Sequence, residues 1–203
     1  LWIIYVGITF VEIIALRIAG METFDSICHA FTTMPTGGFS TKNASIAYYD
    51  SAMIHYIIIF FMFLAGINFS LHFRVINGDL KAYIKDTEFL VYLFIIIFVS
   101  SIILFSLLYQ SPNFSDVILR ESLFGTIAIL TGTGYVLGNY EIWPVFVQMI
   151  LLTLMFVGGM GGSTTGGMKV IRVLLLVKYA ALETRRMLHS RALLPVKIGK
   201  QLI

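Results

Sequence analysis

The chain has 203 residues, of which 58% are hydrophobic and only 12% charged; its net charge is +3 and its mean hydropathy +0.90. Soluble globular domains carry about 25% charged residues, so the composition excludes an ordinary water-soluble domain and makes the bilayer the natural solvent. The net charge is too small and too unevenly placed to suggest nucleic acid, and the single cysteine, Cys28, excludes an intramolecular disulfide or a cysteine-only metal site.

Residues 1–19 form a first apolar stretch close to the length that spans a bilayer. It opens at Leu1 with no initiator Met and no basic n-region, which suits a piece of a longer protein better than a signal peptide. Glu12 lies inside it. An intramembrane acid is a functional candidate by default, although on an outer helix pairing with a polar neighbour serves equally well. Residues 21–33 keep helical apolar spacing at Phe24, Ile27, Cys28 and Phe31, but are too short and polar for a span. Asp25 near their start suits the helix dipole and would attract cations at a mouth. The stretch runs into Met34-Pro35-Thr36-Gly37-Gly38-Phe39-Ser40, where Pro35 is expected to push Met34 out of helix.

A second span is expected over 51–73, with His55 and His72 near its ends as interfacial packing residues. A linker over 74–88 carries Arg74, Lys81 and Lys85. Its last residues, Lys85-Asp86-Thr87-Glu88, supply an N-cap and early acids for a third span over 89–109. Pro112 sits in the loop that follows. Residues 115–130, with Glu121, form a second short helix that ends in Thr131-Gly132-Thr133-Gly134-Tyr135. The fourth apolar segment, 143–177, opens with Pro144 in its first turn. It is interrupted by Gly158-Gly159-Met160-Gly161-Gly162-Ser163-Thr164-Thr165-Gly166-Gly167-Met168-Lys169. At about 1 kcal/mol per glycine relative to alanine, six glycines oppose a continuous helix by roughly 6 kcal/mol. The segment is therefore expected to unwind and to line a pore or pack between helices; close packing through small residues is the alternative.

Setting Gly38 on Gly134, a shift of 96 residues, brings the halves into correspondence: Asp25 falls on Glu121 and Phe39 on Tyr135. Each half reads as span, short helix, glycine-aromatic loop, span. Tandem repeats of this kind are common in transport proteins. Lysines and arginines concentrate in 74–88 and from Lys169 onward, through Arg172, Lys178, Arg185, Arg186, Arg191, Lys197 and Lys200. The positive-inside rule makes these stretches cytoplasmic, so both glycine-aromatic loops open outward. The terminal basic segment, 182–203, suits anionic lipid.

A re-entrant helix ending in Thr-x-Gly-aromatic has a direct use. Glycine admits backbone angles that turn successive carbonyls to one axis, a ring of carbonyls replaces the hydration shell of K⁺, and the helix C-terminus favours a cation. The glycine-rich segment lacks Gly-Lys-Ser/Thr for a phosphate loop, the final Gly of Gly-x-Ser-x-Gly, and the βαβ setting of a dinucleotide fingerprint. A gate across a cation path is the better reading. Its rivals are an intramembrane hydrolase using Ser163 with His55 or His72, and a non-conducting membrane scaffold.

Thr36-Gly37-Gly38-Phe39-Ser40-Thr41, Ser45-Ile46, Tyr49, Asp50-Ser51, Leu71-His72-Phe73 and Lys85-Asp86-Thr87-Glu88-Phe89 resemble the second pore repeat of the Trk-type potassium uptake proteins. Gly162-Ser163-Thr164 and Gly166-Gly167-Met168-Lys169-Val170-Ile171-Arg172 resemble the intramembrane gating loop of their third repeat. The resemblance to this Trk/Ktr/HKT superfamily covers nearly the whole chain. It implies an all-α integral membrane fold of K⁺-channel type. Residues 1–73 would be the second of four pore repeats, with filter loop 35–40, and 89–181 the third, with filter loop 131–136 and gating loop 158–169. Repeats one and four would lie elsewhere in the protein.

The selectivity filter carries over onto Thr36, Gly37, Gly38, Phe39, Gly132, Thr133, Gly134 and Tyr135. Transported K⁺ would lie at the carbonyls of Thr36, Gly37, Gly38, Gly132, Thr133 and Gly134, with no organic cofactor. The gate carries over onto Gly158, Gly159, Gly161, Gly162, Ser163, Thr164, Thr165, Gly166, Gly167 and Lys169, with Lys169 and Arg172 coupling it to a partner. The resemblance further implies a homodimer in a bacterial inner membrane, regulated by a cytosolic nucleotide-binding ring of the Trk-A type. The second loop departs from the family pattern: Tyr135 replaces the usual Phe, and Val136 lacks the hydroxyl usual at its position.

Overall fold

The computed structural model describes residues 1–110, 115–188, 197–198 and 201–202. Pro112, Arg191 and Lys200, with most of the basic end segment, lie outside the described residues. The described chain is helical: α1 (Trp2–Ile18), α2 (Thr23–Thr33), α3 (Ala52–Ala65), α4 (Phe69–Ile76), α5 (Ala82–Lys85), α6 (Thr87–Gln110), α7 (Asp116–Thr131), α8 (Val145–Val157) and α9 (Val170–Leu188). Short 3₁₀ turns lie at Ser45–Tyr48 and Tyr140–Ile142, and Lys197–Ile198 pairs antiparallel with Gln201–Leu202.

Helix starts follow the local chemistry. Asp86 Oδ1 accepts the Phe89 amide at 2.9 Å at the head of α6, and Ser115 Oγ accepts the Ile118 amide at 3.4 Å at the head of α7. The chain makes the same figure twice. In α1–α2–α3 and again in α6–α7–α8, two apolar helices flank a middle one that packs on both, and α3 packs against α7 to join the units. At a rise of 1.5 Å per residue, the 11 residues of α2 reach about 16 Å, only part-way across a hydrocarbon core of about 30 Å. Tyr92, Phe124, Tyr135, Ile58, Met62 and Leu130 are fully buried where the units meet. Large apolar side chains such as Ile3 (88%) and Phe105 (75%) stand exposed on the outside, as suits a lipid or protein surround rather than water.

Two expectations about spans are corrected. Among the described helices, Thr87–Tyr109 alone is long and apolar enough to cross a membrane unaided. The segment expected over 51–73 does not continue straight: α3 stops at Ala65, and α4 leaves at 100°. Asn68 is the local cause, because its side chain accepts the Ser70 amide at 2.8 Å and caps a new helix. Gly66 is the tertiary cause. A Cβ there would overlap the Tyr92 hydroxyl of α6 and stand 3.1 Å from Thr131 Cγ2 of α7, so the chain turns where only glycine fits. The fourth segment breaks as expected, between Val157 and Val170.

Candidate functional site

Both short helices end at the glycine loops. In the first unit the Thr36 amide donates to Thr33 O at 2.9 Å, and the Gly37 and Gly38 amides donate to Thr32 O at 2.8 and 3.1 Å. With the amides turned back on α2, the carbonyls of Thr36, Gly37 and Gly38 accept no hydrogen bond among the described residues. Pro35 does not act as expected: Met34 stays in helical geometry at φ −63°, ψ −41°. It is fully buried, donates to Ala30 O and accepts from Thr164, and these contacts outweigh the usual bias before proline. The turn is made instead at Thr36 and Gly38, with φ of 56° and 67°. A left-handed threonine stores strain of about 1–3 kcal/mol.

The second loop repeats the pattern. Gly132 and Gly134, at φ 72° and 74°, donate to Ile129 O and Ala128 O at 3.1 and 3.0 Å. The Thr133 hydroxyl lies 2.8 Å from that of Thr131. The two loops touch: a Cβ on Gly38 would run into the Thr133 carbonyl oxygen. Glycine at 38 is thus required by both φ and space.

The two aromatic positions behave differently. Phe39 is 77% exposed, whereas Tyr135 is fully buried in the first unit. Its hydroxyl donates to His29 O at 3.1 Å and lies 2.7 Å from Thr32 Oγ1 and 3.3 Å from Thr33 Oγ1. Behind it, Glu12 of α1 is fully buried, and neither carboxyl oxygen has a hydrogen-bond partner among the described residues. The exit of the second loop is also tied to the first unit, through Val136 N to Ser45 Oγ (3.2 Å) and Ala47 N to Val136 O (3.1 Å).

Outside the loops the units diverge. Asp25 is buried and accepts from Thr41 Oγ1 (2.7 Å), Tyr49 OH (2.7 Å) and Lys42 Nζ (3.0 Å). Burial pushes its carboxyl up, but these three donors and the Lys42 charge outweigh it and hold the pKa at about 2. His29, which carries no motif in the sequence, bridges Asp25 O at 2.7 Å and Ser40 Oγ at 2.9 Å. Glu121 occupies the matching place in the second unit, packed beside Gly138. Burial raises its pKa and the Arg120 charge offsets this only in part.

The segment 158–169 folds into a compact loop under the first unit. Its ends meet: Met168 N donates to Phe156 O at 3.1 Å, and a Cβ on Gly167 would stand 2.9 Å from Gly158 Cα. Its tip reaches the first glycine loop, where Thr164 Oγ1 donates to Met34 O at 2.7 Å and Thr36 Oγ1 donates to Thr164 O at 3.1 Å. Met160 N donates to Gly66 O at 2.9 Å and Phe69 N to Gly162 O at 3.2 Å, so the loop also fills the bend between α3 and α4. Thr165 Oγ1 accepts the Gly159 amide at 3.0 Å and lies 2.7 Å from Ser163 Oγ. Lys169, left-handed at φ 74°, turns its ammonium inward onto Thr165 O and, at 3.0 Å, Thr165 Oγ1. Glu88, expected from sequence only as a helix-start acid, accepts the Gly161 amide at 2.7 Å and the Ile171 amide at 3.0 Å on one oxygen, Oε1.

Neither histidine meets Ser163. His55 is held between Tyr49 O (2.7 Å) and Arg120 Nη1 (3.0 Å), and His72 between Tyr83 OH (2.6 Å) and Leu64 O (3.1 Å). Ser163 donates to Met160 O at 2.6 Å. Neither of these two histidines serves this serine as a base.

The family profile described as TrkH, cation transport protein, matches residues 1–203. The Trk system potassium uptake protein TrkH of Escherichia coli K12 is 38% identical over 99% of this chain and 42% of its own length. TrkH of Vibrio parahaemolyticus is 40% identical over 98% of this chain and 42% of its own length. TrkG of E. coli K12 is 34% identical over all of this chain and 42% of its own length. The crystal structure of the potassium transporter TrkH from V. parahaemolyticus superposes with a TM-score of 0.94 at 38% identity, covering all of this chain and 44% of that one. The chain thus spans less than half the length of these relatives.

Proposed function

The chain belongs to the TrkH family of cation transport proteins, and from that premise we propose that it forms two adjacent quarters of a K⁺-conducting pore in a membrane. Its relatives are potassium uptake proteins, and the reading assigns this chain passage of K⁺ with no covalent chemistry. The observation that carries it is the contact between the glycine loops, where Gly38 abuts the Thr133 carbonyl while the carbonyls of 36–38 and 132–134 stay free of hydrogen bonds among the described residues. Free carbonyls from adjoining loops are what a dehydrated K⁺ needs. Each short helix delivers its negative end to its loop. A Cβ added at Gly134 would meet no described atom within 4 Å, which suits a further unit continuing the arrangement as Thr133 does for Gly38.

In this reading residues 1–73 and 89–181 are pore repeats two and three, joined by the cytoplasmic linker 74–88. The loops face outward, and the basic residues, including those of α9, face inward. Repeats one and four, a second copy of the protein, and a nucleotide-binding ring on the basic face complete the assembly in a bacterial inner membrane. Segment 158–169 is the gate: Thr164 is bonded directly to the inner end of the first filter, at Met34 and Thr36.

In the full-length protein, Gly134→Ser should lower K⁺ preference over Na⁺ at least about tenfold, since roughly 1.4 kcal/mol of lost discrimination suffices. Competing uptake of the two ions measures it. A folded variant with unaltered preference would remove Gly134 from the filter.

A further inference from the structure

Glu88 stands in the first turn of α6, outside both the predicted filter and the predicted gate. A carboxylate there has an obvious local use, since acids suit a helix start. Its contacts point elsewhere. Oε1 accepts one amide from inside the glycine loop, Gly161, and one from the first turn of α9, Ile171. The two donors are ten residues apart in sequence and flank the tip that carries Ser163 and Thr164. Lys169, between them, lies within electrostatic reach of Glu88 but sends its ammonium to Thr165 instead. One oxygen atom therefore fastens the loop to the start of α9, and both to α6.

Resting on the reading of 158–169 as the gate, we propose that Glu88 is the positioning residue that latches that gate and couples it to α9. The loop's bonds divide into two sets. Thr164, Met160 and Gly162 tie it to the first unit, whereas Glu88, alongside the Val170 amide on Gly159 O (2.9 Å), ties it to the root of α9, which carries Arg172 and Arg185 towards the basic face. A single acceptor holds two amides only while they stay together. A displacement of α9 away from the loop separates Ile171 from Gly161, so one bond must break, and the loop loses its hold on the α6 side. The carboxylate converts movement of α9 into release of the loop. The amides, not the glycine side, make the contact: a Cβ on Gly161 would sit 3.7 Å from both carboxylate oxygens, an ordinary distance.

The test uses the full-length transporter in proteoliposomes, with K⁺ flux and K⁺/Na⁺ preference read together. Glu88→Ala should raise flux without its regulatory partner at least about fivefold, the scale of a modest coupling energy, and leave ion preference unchanged. Glu88→Gln keeps an acceptor oxygen and should stay nearer the parent. In a Cys28→Ser background, Ser163→Cys should react faster with an inner-side thiol reagent once Glu88→Ala is added. This readout moves for a latch but not for a mere helix cap, which would lower only the unfolding temperature. A well-folded Glu88→Ala protein with parental flux and parental thiol reactivity overturns the latch. If Glu88→Ala does not fold, Glu88→Asp, which withdraws the carboxylate from both amides by one methylene, takes its place, and a folded Glu88→Asp protein with parental flux and parental thiol reactivity overturns the latch. Deleting 159–166 separates the two layers: raised flux there with none from Glu88→Ala sinks the latch alone, and raised flux in neither sinks the gate.

Discussion

The inner helices of the two units both break at the end of the short-helix bundle, but they break differently. In the first unit, α3 turns into α4 through only Gly66, Ile67 and Asn68, and the corner is locked by side chains: Tyr92 and Thr131 against Gly66, and the Asn68 cap. In the second, α8 and α9 are separated by residues 158–169, whose bonds run mostly to backbone carbonyls and single hydroxyls. The first corner is a packed joint. The second is a compact loop with touching ends, bonded into the first through Met160, Gly162 and Thr164. Such Ω-shaped loops are often functional. The lesson is mechanical: a joint closed by van der Waals packing resists change, and a loop held by a few exchangeable hydrogen bonds can move, because a net protein hydrogen bond is worth only about 1 kcal/mol.

The contrast can be broken from its rigid side first. Gly66→Ala forces a methyl into the Tyr92 hydroxyl, and overpacking of this kind costs about 1–3 kcal/mol. Thermal unfolding of the full-length protein should fall accordingly, and adding Tyr92→Phe, which clears the hydroxyl, should recover part of the loss. No recovery would mean that the corner is not set by this contact. On the loop side, Thr164→Val removes the donor shared by Met34 O and Ala65 O. Losing about 1 kcal/mol of closure should raise K⁺ flux roughly fivefold, with little change in unfolding temperature. A drop in stability without a rise in flux would make the loop a packing element.

The acids near the starts of the two short helices sharpen the comparison through pH. The Asp25 carboxyl is depressed to about 2. The stability it contributes is present above the ordinary carboxylate range and lost only as pH falls through about 2, so nothing should change between pH 8 and 5. Glu121 is raised by burial and regains its proton at a higher pH than an exposed glutamate would. Acidifying the side that the glycine loops face should therefore weaken K⁺ uptake through loss of charge in the second unit. Glu121→Gln should flatten that pH profile, and Asp25→Asn should leave its slope intact. The smallest effect belongs to Tyr135→Phe. Thr32 and Thr33 keep other acceptors at Phe39 O and His29 O, so less than about 1 kcal/mol of stability should be lost, read as a small shift in unfolding temperature.

Much of this was legible in the residues. A Gly-aromatic step repeated at a 96-residue spacing located both loops, and six glycines in one apolar run located the second break. The first break was hidden because Ile67 and Phe69 continue the apolar run, and the reason for turning lies in Tyr92, 26 residues away. Glu88 looked like a cap because its partners are amides 73 and 83 residues on, which no local pattern encodes. Pro35 misled in the opposite sense: a local bias against helix at Met34 yielded to burial and a long-range hydrogen bond. His29 and the Tyr135 hydroxyl gave no signal, because their roles arise only where the two units meet.

The central claim is that the second break is a movable gate beneath a filter assembled by both units. Met168 N already reaches Phe156 O, and Gly158 touches Gly167, so deleting 159–166 lets the chain close without moving α8 or α9. Potassium and sodium flux through the full-length protein carrying that deletion measures the claim directly. The account predicts raised K⁺ flux with K⁺ preference retained. A folded deletion protein whose K⁺ flux is unchanged or lower would contradict it.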